Sequence, residues 1–271
     1  MVINNELAGF VKALSVSQVL RKSFVEEITE GRYRAKLAQT PAEIESTLRL
    51  RYEVLNVELS AVPNHRTMLG LDFDEYDADC RHLIIIEKVT NKTIGTYRIN
   101  SIESAKDVSG FYAYNEFSLE DLPPEVLQQA MEIGRACIAR QHRNSKVLFL
   151  LFKALLNYLK QSNKRYFFGC CSIFTQDLTT GAKVFQQLER KGHLHPTIRV
   201  RPRPERAFPI NNFFAETERV ELPSLFNIYL KMGVKICGAP AIDREFGTID
   251  FFVIFDLLAM NEKYKRMFFT P

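Results

Sequence analysis

The 271-residue chain contains no tryptophan and no apolar run long enough to cross a membrane as a helix, which takes about eighteen residues or more. It has no internal repeat and no low-complexity stretch, so a solenoid or a disordered tail is not expected. Charge of one sign is also lacking. The 36 Lys and Arg against 32 Asp and Glu leave a formal +4, too mild for a nucleic-acid partner. Cysteine is sparse and odd in number. Cys80, Cys137, Cys170, Cys171 and Cys237 show no zinc-type spacing, and several lie in apolar runs, which predicts free buried thiols in a reducing cytoplasm and no metal site. The opening residues Met1 to Glu6 lack the basic and apolar regions of a secretory signal.

Phenylalanine is plentiful, at 21 residues, and points to an aromatic core or an apolar pocket. Phe149, Phe152, Phe167, Phe168, Phe251, Phe252 and Phe255 are candidates to line one. Residues Leu7 to Ile28 repeat apolar side chains at helical spacing, as expected of an amphipathic helix that docks on the domain or lies on a membrane surface. We therefore divide the chain into an N-terminal amphipathic segment (1–30), a single domain (31–260) and a C-terminal tail (261–271).

Within the domain, Arg32–Ala38 alternates as a strand, and Thr40-Pro41 reads as a helix cap followed by proline at the first helical position. His82–Lys88 and Thr93–Ile99 flank Asn91-Lys92 as a hairpin. A strand over Met131–Ala139 runs into a basic turn, Arg140 to Lys146, then an apolar helix over Val147–Leu159 and a second strand over Arg165–Ser172. Helices over 180–192 and 223–232 and a closing strand over 247–257 complete an α/β fold with a mostly antiparallel sheet. The start of the helix after the basic turn is a place where free N–H groups can hold a phosphate. Glu132 and Arg135 stand three apart in the first strand of this unit. Alternation puts them on opposite faces unless a bulge intervenes, and ionised groups in a buried strand demand an explanation.

Taken in order, Leu50-Arg51-Tyr52-Glu53-Val54, Asp74-Glu75-Tyr76-Asp77, Gly95-Thr96-Tyr97-Arg98, Glu132-Ile133-Gly134-Arg135, Phe168 to Ser172 and Phe246 to Phe251 resemble the acyltransferase branch of the GNAT superfamily. Within it the pattern is similar to the ornithine-lipid and glycine-lipid N-acyltransferases, often labelled hemolysin-like, and more distantly to the acyl-homoserine-lactone synthases. The resemblance spans about Arg34 to Leu257. It implies a twisted sheet with helices on both faces. It also implies transfer of a long (3-hydroxy)fatty acyl group from an acyl carrier protein thioester to the amine of ornithine or glycine, giving a lyso-aminolipid.

Such chemistry needs a base for the attacking ammonium, and a buried carboxylate suits it, which makes Glu132 the candidate, with Arg135 tethering it or binding a substrate carboxylate. By resemblance, Arg51, Asp74, Asp77 and Arg98 join them as a cluster of alternating sign that recognises a zwitterionic amino acid. Arg143, Asn144, Ser145 and Lys146 are the candidates for the donor's phosphopantetheine. CoA-dependent relatives carry Arg-x-x-Gly-x-Gly there. Counting from Arg143, the two glycine positions hold Lys146 and Leu148, which crowd a pyrophosphate and rank acyl carrier protein above acyl-CoA. No permanently bound cofactor is expected. The arginine-rich stretch His193 to Arg206 is a candidate dock for an acidic carrier protein or an anionic membrane surface, so the expected location is the cytoplasm, with peripheral contact to the inner membrane. Two rival readings remain: a CoA-dependent small-molecule N-acetyltransferase or N-acyl signal synthase, and a GNAT-like scaffold that only binds partners.

Overall fold

The structure is a computed structural model that describes residues 26–59, 70–209 and 219–269. The predicted helix from Leu7 lies outside the described residues up to position 25, and Ile28 opens a strand instead. Among the described residues nine strands follow in chain order: β1 (Ile28–Glu30), β2 (Tyr33–Leu37), β3 (Arg81–Glu87), β4 (Lys92–Ser101), β5 (Ala130–Ile138), β6 (Tyr166–Ile173), β7 (Lys235–Ile236), β8 (Ala241–Asp243) and β9 (Thr248–Asp256). They are distributed over two compact units. The first holds the described residues up to Ala105 together with Ile133–Asn163; the second holds Lys106–Glu132 and the chain from Lys164 onward. Strand β5 contributes its first three residues to the second unit and the rest to the first.

In the first unit β1, β2, β3 and β4 form an antiparallel meander. The carbonyl of Ile94, on β4, accepts a hydrogen bond from the N–H of Ala139, just past the end of β5. Helix Pro41–Arg51 starts at the predicted cap: the Thr40 hydroxyl accepts from the Glu43 N–H, and Glu43 reaches back to the Thr40 N–H. Its apolar stripe, Ile44 and Leu48, packs with Leu71, Ile84 and Ile86. Helix Ser145–Gln161 covers the other face, where Tyr97, paired with Leu83, meets Phe152. With both faces covered, β3 reads as a continuous apolar run rather than an alternating one. His82, Ile84, Thr96 and Arg98 share the face under helix Pro41–Arg51, because His82 pairs with Arg98 and Ile84 with Thr96.

In the second unit β5 runs parallel to β6, with Glu132 beside Phe168, and β6 pairs antiparallel with β9 along its whole length. Strands β7 and β8 both add to β9. Helix Leu178–Arg190 approaches so closely at Gly181 that an added Cβ would lie 2.6 Å from Ile249 and 2.8 Å from Phe208. Alternation splits the phenylalanines expected to line one cavity. Phe168 and Phe252 stack on one face of the β6–β9 pair, while Phe167 and Phe255 stack on the other. The observed class is the expected one, α/β with a mostly antiparallel sheet and helices. The residues assigned to the C-terminal tail include a helix, Glu262–Phe269.

Candidate active site

The first unit buries a network of three arginines and three aspartates. Arg51, fully enclosed at the last turn of its helix, donates to Asp72 at 2.6 and 2.8 Å and to Asp77 at 2.6 and 3.2 Å. Arg98 on β4 donates to Asp74 at 2.5 Å and to Asp77 at 3.2 Å. Arg135 on β5 donates to Asp74 at 2.9 Å and stands 3.9 Å from Asp72. The Asp74–Asp77 loop is locked by its own capping box, with Asp74 capping the turn and Asp77 reaching back to the Asp74 N–H at 2.9 Å. Arg135 has φ 52°, a left-handed backbone that costs energy for a residue with a side chain and breaks the strand's alternation.

Three positive and three negative side chains balance, which is how buried ions are tolerated. Burial alone would raise the three carboxyls, but Arg135 and Arg51 hold Asp72 below the usual carboxylate range, Arg98 and Arg135 do so for Asp74, and Arg51 leads for Asp77. His82 sits beneath, its Nε2 3.9 Å from Asp77, and burial lowers it from 6.5 to about 4. The network gathers Arg51, Asp74, Asp77, Arg98 and Arg135 of the expected cluster and adds Asp72, which no local pattern separates from a solvated acidic loop.

The His82 shift has a checkable sign. Between about pH 6.5 and 4 the unfolded chain binds a proton at His82 that the folded chain refuses, so this stabilisation is present above 6.5 and lost as pH falls toward 4. The aspartates, held low, lose theirs at still lower pH. Glu116 and Asp250, held high, titrate with the opposite sign, so the reading is a difference between proteins. Urea midpoints of wild type and His82→Gln should converge as pH drops from 7 to 4.5, and a constant gap would refute this assignment.

Glu132 belongs to the second unit. Its two carboxylate oxygens accept the backbone N–H groups of Ala113 at 2.7 Å and Tyr112 at 3.0 Å, which fix its orientation over the face it shares with Phe168.

Set against known families, one stretch of the chain finds a match. Residues 50–153 match the acetyltransferase (GNAT) domain. The chain is 28% identical to the L-ornithine N(alpha)-acyltransferase of Rhodobacter capsulatus over 87% of its own length and 94% of that protein's. It is 25% identical to the enzyme of the same name from Brucella abortus over 94% of this chain and 96% of that one. Among solved structures the acyl-homoserine-lactone synthase LasI aligns at 12% identity with a TM-score of 0.47, covering 89% of this chain and 96% of that one. The matched stretch contains the whole ion network, Glu132 and the basic turn.

That turn is built differently from an open phosphate cradle. Asn144 caps helix Ser145–Gln161, and its side-chain oxygen already takes the N–H groups of Lys146 and Val147, both at 3.1 Å. Arg143 donates to Glu58 at 2.7 Å and to the Ile138 carbonyl at 2.9 Å. Ser145 and Lys146 are exposed. A phosphate here must displace the Asn144 side chain or draw Arg143 from Glu58.

The arginine-rich stretch is similarly tied. Arg201 forms a two-pronged pair with Asp121 at 2.6 and 2.9 Å, Arg203 lies 3.7 Å over the Tyr114 ring and donates to the Tyr114 carbonyl, and Arg206 reaches Asp243 at 3.3 Å. Burial raises Cys137 and Cys237 to about 12, and Cys170 and Cys171 well above an ordinary thiol. A protonated thiol is a poor nucleophile, so covalent cysteine catalysis has no support.

Proposed function

We propose that this chain is an N-acyltransferase that moves a long (3-hydroxy)fatty acyl group from the phosphopantetheine thioester of acyl carrier protein to the α-amine of ornithine, giving a lyso-aminolipid. The observation that carries it is the near full-length similarity to enzymes named L-ornithine N(alpha)-acyltransferase. The amine nitrogen forms an amide bond to the thioester carbon as the C–S bond breaks. Glu132 accepts the proton the ammonium must shed before attack, and the departing thiolate takes up a proton. The backbone N–H pair from Tyr112 and Ala113 holds the carboxylate in place for that transfer.

Each aspartate of the network already holds an arginine, so a substrate can enter it only by exchanging a partner. The least enclosed pair, Asp74 and Arg135, with side chains 11% and 12% exposed, is where that exchange costs least. Carrier protein is favoured over CoA because Lys146 and Leu148 occupy the positions where a pyrophosphate cradle needs glycine.

Purified protein should convert ornithine and a 3-hydroxyacyl carrier protein into N-acyl-ornithine, detected by mass spectrometry, with at least about tenfold lower kcat/KM for the matching acyl-CoA. Equal use of acyl-CoA would refute the donor assignment. Absence of any acylated amino acid with either donor would refute the activity.

A further inference from the structure

In the second unit a buried acidic pair faces a third buried carboxyl. Asp243 on β8 and Asp250 on β9 share one face, because Ala241 pairs with Asp250 and Asp243 with Thr248. Glu116 comes from a different segment, just after the turn Tyr112–Asn115, and points into this pair: one oxygen from each of the three carboxyls lies within 4.8 Å of the others. Glu116 is 1% exposed, and no N–H or hydroxyl of the described residues reaches either of its oxygens or Oδ1 of Asp250; the hydrogen bond these two carboxyls have is one they share with each other, while Thr248 serves the other Asp250 oxygen. Asp243, by contrast, is well served, by the N–H groups of Glu245 and Phe246 at 2.9 and 3.1 Å and by Arg206 at 3.3 Å. Two buried carboxyls that share one proton leave most of their acceptor capacity unused, and a cation carrying several donors can use it.

We propose that Glu116, Asp243 and Asp250 bind a primary alkylammonium group, the distal amine of the amino-acid acceptor; this rests on the acyltransferase reading above. Oxygens spaced within 4.8 Å leave a centre about 2.8 Å from each, the length of a charge-assisted N–H···O bond, and an ammonium brings three donors for three acceptors. The surroundings suit the methylenes that carry such a group. Phe117, next to Glu116, meets Phe252 at 5.5 Å; Phe252, two residues along the same face from Asp250, stacks on Phe168 at 5.6 Å; and Phe168 meets Phe111 at 5.1 Å. A hard divalent cation wants six or more oxygens or several waters, which this aromatic setting does not favour. Burial first, then Asp250 and Asp243, push Glu116 well above the usual carboxylate range. Without a cation, Glu116 and Asp250 share a proton across their hydrogen bond, which an arriving ammonium would release.

The test compares ornithine with norvaline, the same chain without the distal amine. Wild type should show a kcat/KM ratio of at least about a hundredfold in favour of ornithine, because an analogue lacking the group leaves buried acceptors unpaired. In Asp250→Asn and in Glu116→Gln the ratio should fall below about tenfold through KM for ornithine. Glu116→Gln imitates the neutral carboxyl and so keeps the fold if Asp250→Asn does not. A wild-type ratio near one, or a ratio unchanged in both variants, would overturn the site while leaving the acyltransferase intact. If wild type acylates neither amino acid, the activity fails and the site is tested alone by calorimetry with 1,4-diaminobutane. Stoichiometric binding lost in Asp250→Asn supports it, and no binding overturns it. One-to-one binding of Mg²⁺ or Ca²⁺ lost in the same variants would overturn it in favour of a metal centre.

Discussion

Glu132→Gln should lower kcat for acyl transfer by about 10²–10⁴-fold, the range by which a positioned acid–base group accelerates a reaction, while the protein stays folded. The amide is isosteric and still accepts one of the two N–H bonds from Tyr112 and Ala113. Its NH₂ faces the other N–H, at a cost of about 1–3 kcal/mol. If Glu132 is the base, the variant must wait for amine that is already neutral. Its rate should therefore climb about tenfold per pH unit below the amine's own pKa, while wild type changes less. A structural Glu132 would instead give a pH-independent deficit that tracks the loss of stability. A kcat within threefold of wild type would remove Glu132 from the mechanism.

Arg51→Met should destabilise the protein by about 3–5 kcal/mol, the usual cost of removing one partner from a buried ion pair. Arg51 is fully buried and supplies four hydrogen bonds to Asp72 and Asp77. Methionine fills much of the volume but leaves both carboxylates facing a deficit of positive charge. Adding Asp77→Asn should recover part of the loss, because Asp77 is wholly enclosed and its charge would then no longer need Arg51. Urea unfolding of the wild type, Arg51→Met and the double variant measures this. A loss below about 1 kcal/mol would mean that the network contributes little to stability.

Much of this architecture can be read directly along the chain. Thr40, Pro41 and Glu43 announce a helix start, Asn91 with φ 54° marks the hairpin turn, and the apolar spacing after Asn144 marks the long helix. The first unit's site is partly legible too, since Arg51, Asp74, Asp77, Arg98 and Arg135 lie in recognisable motifs and the structure joins them. Asp72 escaped because an aspartate in a polar stretch looks solvated until Arg51 is known to lie over it. The bond between Asn144 and the N–H groups behind it was equally hidden, since a sequence shows where a helix begins but not whether its first donors are already occupied.

The sequence by itself determined most of the elements and their order, because capping, periodicity and turn chemistry act over a few residues, and its ordered motifs carried the resemblance to acyltransferases. Tertiary structure alone decided which charges meet. It closed three arginines on three aspartates in the first unit, and in the second it brought Glu116 to Asp243 and Asp250 through the antiparallel pairing of β8 with β9. Residues more than a hundred positions apart carry no mark of their distance in space. Their carboxyls respond to charge and desolvation within a few ångströms, and those are set only once the strands have paired.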